Sequence, residues 1–149
     1  MYKNILIATD GSELAEKAVQ HGLSLAKEQN SKVIIVTVTE PWSLLEMTAH
    51  IESAGWENPV EEYQNVEAAA ANKVLTSATD LAENSGIDYK TQHVKDNHPA
   101  EGIIEAANSN KSDLIIMASH GRRGLKKALL GSIANEVISR ASVPVPIYR

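Results

Sequence analysis

The residues with the most chemical promise lie in two short loops. Thr9-Asp10-Gly11-Ser12 sets a carboxylate and two hydroxyls around a glycine, directly after the apolar run Ile5-Leu6-Ile7-Ala8. Ala118-Ser119-His120-Gly121-Arg122-Arg123-Gly124 follows an apolar run beginning at Leu114 and leads through Leu125 to Leu130 into Gly131-Ser132-Ile133. A helix opening at Gly131-Ser132 would aim unpaired amides, a hydroxyl and a partial positive charge at one point, which is an anion pocket. The chemistry of such a place is the binding of a phosphate-bearing ligand. The same residues also read as ordinary surface turns: glycines for backbone geometry, Arg122, Arg123, Lys126 and Lys127 as solvated charges, and Asp10 as the turn residue that precedes a glycine. Ser12 reads first as a helix cap. His120 has no second acid or base spaced to work with it, so no catalytic residue is assigned and it is placed with the loop. Neither the GxxxxGK[ST] phosphate loop nor a GxGxxG after the first strand is present.

Composition narrows what such a site can serve. A chain of 149 residues, 43% hydrophobic and 22% charged, has the balance of one soluble domain spanning 1–149. Its net charge of -5 argues against general affinity for nucleic acid, so any anion site must be local. There is no cysteine, which excludes disulfides, thiolate metal sites and thiol nucleophiles and suits a reducing, cytoplasmic setting. No apolar run approaches the roughly 20 residues of a membrane span, and Met1-Tyr2-Lys3-Asn4 enters a strand without a signal-peptide pattern. His21, His50, His93 and His98 show no metal-ligand spacing, so no metal site is assigned.

The elements that must position the loops follow from periodicity. Ile5 to Thr9, Val33 to Val38 and Leu114 to Ala118 are nearly continuous in apolar character, as strands buried on both faces of a parallel sheet are. Val143 to Tyr148 reads as a further strand, and the more polar Tyr89 to Val94 as one nearer an edge. Ala15, Ala18, Val19, Gly22, Leu23 and Ala26 repeat at helical spacing behind Ser12. Val60 to Glu83 keeps the same period and ends before Gly86, a suitable left-handed terminus. Pro99 opens a third helix and Gly131-Ser132 a last one. Strands alternating with helices predict right-handed crossovers and a doubly wound α/β fold. Pro41 to Pro59 has no clear period and reads as a mobile excursion or partly helical lid. The acidic run Glu57 to Glu67 reads as a solvated helix face. In open sheets of this kind ligands bind beyond the carboxyl ends of the strands where strand order reverses, so both loops are candidates for that place.

Ser119-His120-Gly121-Arg122-Arg123-Gly124-Leu125, then Leu129-Leu130-Gly131-Ser132, closed by Val143-Pro144-Val145, resembles the nucleotide-binding signature of universal stress proteins, G-x2-G-x9-G-[ST]. Ile5 to Ser12 resembles the first strand and turn of the same family, so the likeness spans the chain. The resemblance implies an open five-stranded parallel sheet of order 3-2-1-4-5 with helices on both faces, and the Asp10 loop beside the Gly121 loop. It implies an adenine nucleotide, ATP, as ligand, with Mg2+ held mainly by phosphate oxygens and water. Gly121 and Gly131 match the second and third signature glycines and Ser132 the hydroxyl. The first glycine is replaced by Ala118, whose methyl would crowd the phosphates unless its backbone keeps a negative φ. Ala8, Thr9 and Asp10 carry over from the first loop and the backbone of Val38 from the end of the second strand. Ser119, His120, Arg122, Gly124 and Ile133 complete the set. Trp42 and Trp56 would then cover the adenine or anchor the 41–59 segment.

The function implied is that of an ATP-binding stress-response regulator; the alternatives are a slow ATP-hydrolysing enzyme and a dimeric interaction module that has lost nucleotide binding. Family members pair their last strands across a twofold axis, which implies a homodimer here. Pro144 and Pro146 strip donors from one edge of that strand, so the Val145 and Ile147 edge is expected to face the fourth strand and the proline edge to lie outward, blunting the pairing.

Overall fold

The computed structural model of the protein describes residues 1–122 and 129–149. Strand β1 (Asn4–Ala8) leads to helix α1 (Glu13–Gln29), β2 (Lys32–Val38), α2 (Leu44–Ala54), α3 (Pro59–Ser85), β3 (Tyr89–Val94), α4 (Pro99–Ser109), β4 (Leu114–Ala118), α5 (Ser132–Arg140) and β5 (Ile147–Tyr148). The strands form one parallel five-stranded sheet in the order β3-β2-β1-β4-β5.

The central strands are apolar through Ile5–Ala8, Val33–Val36 and Leu114–Ala118 because each is covered twice. Ile5 and Ile7 of β1 meet Val19, Leu23 and Ala26 of α1 and Leu75, Ala78 and Ala82 of α3 on one face. Leu6 and Ala8 turn to the other face, against Ala100, Ile103 and Ala106 of α4 and Ala134 and Val137 of α5. The more polar β3 is an edge strand. Local signals act as expected: the Ser12 hydroxyl accepts the Ala15 amide at the start of α1, Gly86 ends α3 at φ 71°, and Pro99 opens α4.

Of the two alternatives for the 41–59 segment the structure has the partly helical one: it holds helix α2, opened by a reciprocal capping box between Ser43 and Glu46 and closed by Gly55 at φ 65°. None of its residues is buried, so it has no apolar period to read. The Ser-x-x-Glu spacing was the available signal.

The last strand presents the opposite edge to β4 from the one expected. Ile115, Met117 and Ser119 donate their amides to the carbonyls of Pro144, Pro146 and Tyr148, so the proline edge faces β4. A proline lacks a donor but keeps its acceptor, and the acceptors are what β4 uses here. The missing N–H groups explain why the regular ladder shrinks from the expected Val143 to Tyr148 to Ile147–Tyr148. Val145 and Ile147, alternating with the prolines, turn their amides outward.

These burials predict opposite responses. Ile7→Ala, at a position with no exposure, should cost about 2–5 kcal/mol of stability through lost burial and a residual cavity. Leu44→Ala on α2, at 84% exposure, should change it by less than about 0.5 kcal/mol. Urea denaturation of the two variants measures the contrast.

Candidate functional site

Because β1 pairs with both β2 and β4, the loops leaving β1 and β4 emerge side by side at the carboxyl end of the sheet. Asp10 joins them. Its Oδ1 accepts the Ser12 amide at 2.9 Å, and its Oδ2 accepts the Arg122 amide at 2.9 Å across a sequence separation of 112 residues. Gly121 lies directly under the carboxylate: a Cβ on this residue would collide with Asp10 Oδ2. The buried Thr9 donates its amide to Val36 and accepts the Gly11 amide on Oγ1 at 3.2 Å.

The floor of the second loop is equally fixed. Ser119, also buried, donates its amide to the Tyr148 carbonyl, and its own carbonyl accepts the Gly131 amide at 2.7 Å. A Cβ on Gly131 would stand 2.8 Å from that carbonyl oxygen, so the close approach requires glycine. Gly131 caps α5 without any side-chain oxygen, and Ser132 and Ile133 stand exposed on the first turn beyond it. The first amides of α5 thus have no side-chain cap. His120 Nδ1 meets the Ser119 hydroxyl at 3.1 Å.

The departure from the signature is accommodated. Ala118 ends β4 in strand geometry, and its methyl packs with Ala15 and Ala18 beneath α1. Ala8 is buried against the α4 and α5 side. Val36 gives its carbonyl to Thr9, so Val38, two residues on, turns its amide and carbonyl to the same side, past the end of β1. The structure therefore brings Ala8, Thr9, Asp10, Val38, Ala118, Ser119, His120, Gly121, Arg122, Gly131, Ser132 and Ile133 to one end of the sheet. Gly124 lies outside the described residues. No group of three or more His, Asp or Glu able to hold a metal occurs among the described residues.

A second polar cluster stands at the ends of β2 and β3. The Tyr63 hydroxyl lies 2.7 Å from Asp96 Oδ1 and 3.1 Å from Glu67 Oε2, so one proton faces two carboxylates. Glu67 is only 6% exposed, which corrects its expected place on a solvated face. His93 Nε2 meets Thr39 Oγ1 at 2.7 Å, and burial holds its pKa below the ordinary imidazole value. Trp42 stacks on His50 with ring centroids 4.1 Å apart, lies 6.0 Å from Trp56 and meets the Tyr63 ring edge-on at 4.9 Å. Trp42 and Trp56 thus anchor α2 to α3.

Burial first, then the Asp96 and Glu67 carboxylates, push the Tyr63 phenol well above its usual value, because each disfavours the phenolate. The unfolded chain releases this proton near pH 10 while the folded protein keeps it, so stability should fall as pH rises above about 10. Tyr89, raised by burial and by Glu83, acts in the same window. Tyr63→Phe should remove part of that slope. It should also cost about 1–3 kcal/mol at neutral pH by withdrawing the hydroxyl from buried Glu67. Urea titrations near pH 8 and about pH 10.5 test both effects.

A sequence model described as the universal stress protein family matches residues 1–149. Universal stress protein MJ0531 of Methanocaldococcus jannaschii is 33% identical over 149 residues, spanning 100% of this chain and 83% of that protein. The solved structure of MJ0577 from the same organism has a TM-score of 0.78 and 32% identity, covering 99% of this chain and 96% of that one. A universal stress protein solved in complex with cAMP has a TM-score of 0.68 and 25% identity, covering 99% of this chain and 97% of that one.

Proposed function

Because the chain belongs to the universal stress protein family, we propose that it is an adenine-nucleotide binding regulator that takes ATP at the β1/β4 crest and acts in a stress response in the cytoplasm. The observation that carries this reading is the convergence of the Asp10 turn, the Gly121 loop and the side-chain-free cap of α5 at the switch point of the sheet. The first amides of α5 and the Ser132 hydroxyl would receive phosphate, as a helix N-terminus does. The outward backbone of Val38 would meet the adenine edge. The cAMP complex of a relative at 25% identity supports an adenine nucleotide as the class of ligand. Mg2+ would enter with the triphosphate, held by phosphate oxygens and water, since the described residues supply no protein cage.

A module that has lost its nucleotide would need Ala118 to crowd the phosphates, and its methyl instead turns beneath α1 against Ala15 and Ala18. Titration calorimetry should find ATP-Mg binding with micromolar affinity, worth about 8 kcal/mol. Neither heat nor thermal stabilisation at millimolar ATP-Mg would overturn the reading.

The reading includes a homodimer through β5. The outward amides of Val145 and Ile147 give this edge the donors that a second copy's strand needs. Sedimentation over a dilution series should show a dimer dissociating to monomers, and Val145→Pro, which deletes an outward donor, should shift it toward monomer. A strict monomer at high concentration would exclude this assembly.

A further inference from the structure

We propose that the outward side of α2 is a docking surface for a basic amphipathic helix of a partner protein. α2 buries none of its residues, yet it is no polar spacer: Leu44 is 84% exposed and Leu45 80%. Its inner side is already taken. Met47 and Ile51 are half-buried, and Trp42, stacked on His50 and close to Trp56, meets the Tyr63 ring of α3. Helical spacing leaves Leu44, Leu45, Thr48 and Glu52 together on the other side, all of them exposed. Helix formation does not require leucine at such places, since Lys, Gln or Glu forms a helix as well without holding apolar surface in water. Adjacent exposed leucines on one helix are the mark of a contact surface.

Charge selects the partner. From Val33 to Asn72 the sequence has seven Glu and neither Lys nor Arg, although the whole chain carries a net charge of only -5. The negative charge is thus concentrated in this stretch. Glu52 stands on α2 itself. Glu57 adjoins Trp56, and Glu61 and Glu62 precede Tyr63, so the rings that hold α2 bring these three residues near it. All four are exposed, and among the described residues none of the four forms an ion pair. Like charges without a counter-charge repel one another, and a cationic partner relieves that repulsion. An anionic membrane or a nucleic acid would be turned away by the same field. What meets both features is a helix with apolar side chains on one stripe and Lys or Arg beside it. A strand would need unpaired backbone groups to pair with, and the side of a helix offers none.

The probe is a fluorescein-labelled peptide of about 18 Leu and Lys residues patterned as an amphipathic helix, with a scrambled peptide of the same composition as control. Fluorescence anisotropy should give the wild type a Kd on the order of 10 μM for the patterned peptide, and the scrambled one should bind about tenfold more weakly. Leu44→Ser combined with Leu45→Ser should weaken the patterned peptide about tenfold without loss of fold, because both side chains are exposed. Glu52→Gln, Glu57→Gln and Glu62→Gln together should weaken it by a similar factor and flatten the loss of affinity between about 0.05 and 0.5 M salt. If the leucine variant misfolds, the glutamate variant and the scrambled peptide carry the test. No binding by the wild type at about 0.5 mM protein, equal binding of the two peptides, or unchanged affinity in either variant overturns this docking role. Binding of phosphatidylcholine–phosphatidylserine vesicles that the leucine variant loses overturns it as well, because α2 would then dock on a membrane. In sedimentation the wild type and the leucine variant should behave alike. An assembly that the leucine variant loses would make a second copy of this chain the occupant and also overturns it.

Discussion

The architecture depends on one constraint, the burial of β1 on both faces and its pairing on both edges. Ile5, Leu6 and Ile7 have no exposure, and the strand lies between β2 and β4. A parallel strand so placed forces its neighbours to be joined by crossovers, one set of helices to each face. The chain runs from β1 out to β3 on one side and must then return across the sheet to β4. That reversal leaves the two loops adjacent with no strand end between them. The adjacency of the two loops is thus a consequence of core burial, and their polar residues fit a frame that apolar residues have already set.

A protein of net charge -5 can hold an anion only where local dipoles outweigh the global field. The first amides of α5 supply such a field over a few ångströms, and the Arg122 guanidinium lies beside the turn at Gly11. The Asp10 carboxylate would oppose this if it were bare. With one amide on each oxygen, its charge is partly answered by the backbone itself. Acidic composition and an anion site are therefore compatible here.

The fold was legible in the sequence wherever a residue both shapes its own backbone and buries its side chain. Ser12, Gly86 and Pro99 mark helix ends by local chemistry, and the apolar runs of β1, β2 and β4 mark strands covered twice. α2 escaped periodicity because it buries no face and is held from outside by the Trp42, Trp56 and Tyr63 rings. Glu67 escaped because a carboxylate in an acidic run gives no sign that a tyrosine one helical turn earlier will hold it inside. The inward edge of β5 does not follow from proline as a lost donor, because the sheet recruits its carbonyl. The two loops of the site were legible as residues, but the bond between Asp10 and Arg122 spans 112 positions and only the fold brings them together.

Ala118 shows how a departure from a motif is decided by direction rather than by size. The methyl at the end of β4 can point toward the crest or toward the helices, and strand alternation settles which. Ile116, two residues earlier, lies in the cluster beneath α1 and α3, whereas Met117 belongs to the opposite face. Ala118 therefore shares the side of Ile116 and meets Ala15 and Ala18, two residues small enough to admit a methyl without displacing α1. A glycine there would leave that volume unfilled, and a branched side chain would press on the helix. The residue that looks like a defect when the signature is read along the chain is, across the sheet, part of the contact that seats α1 beside the site.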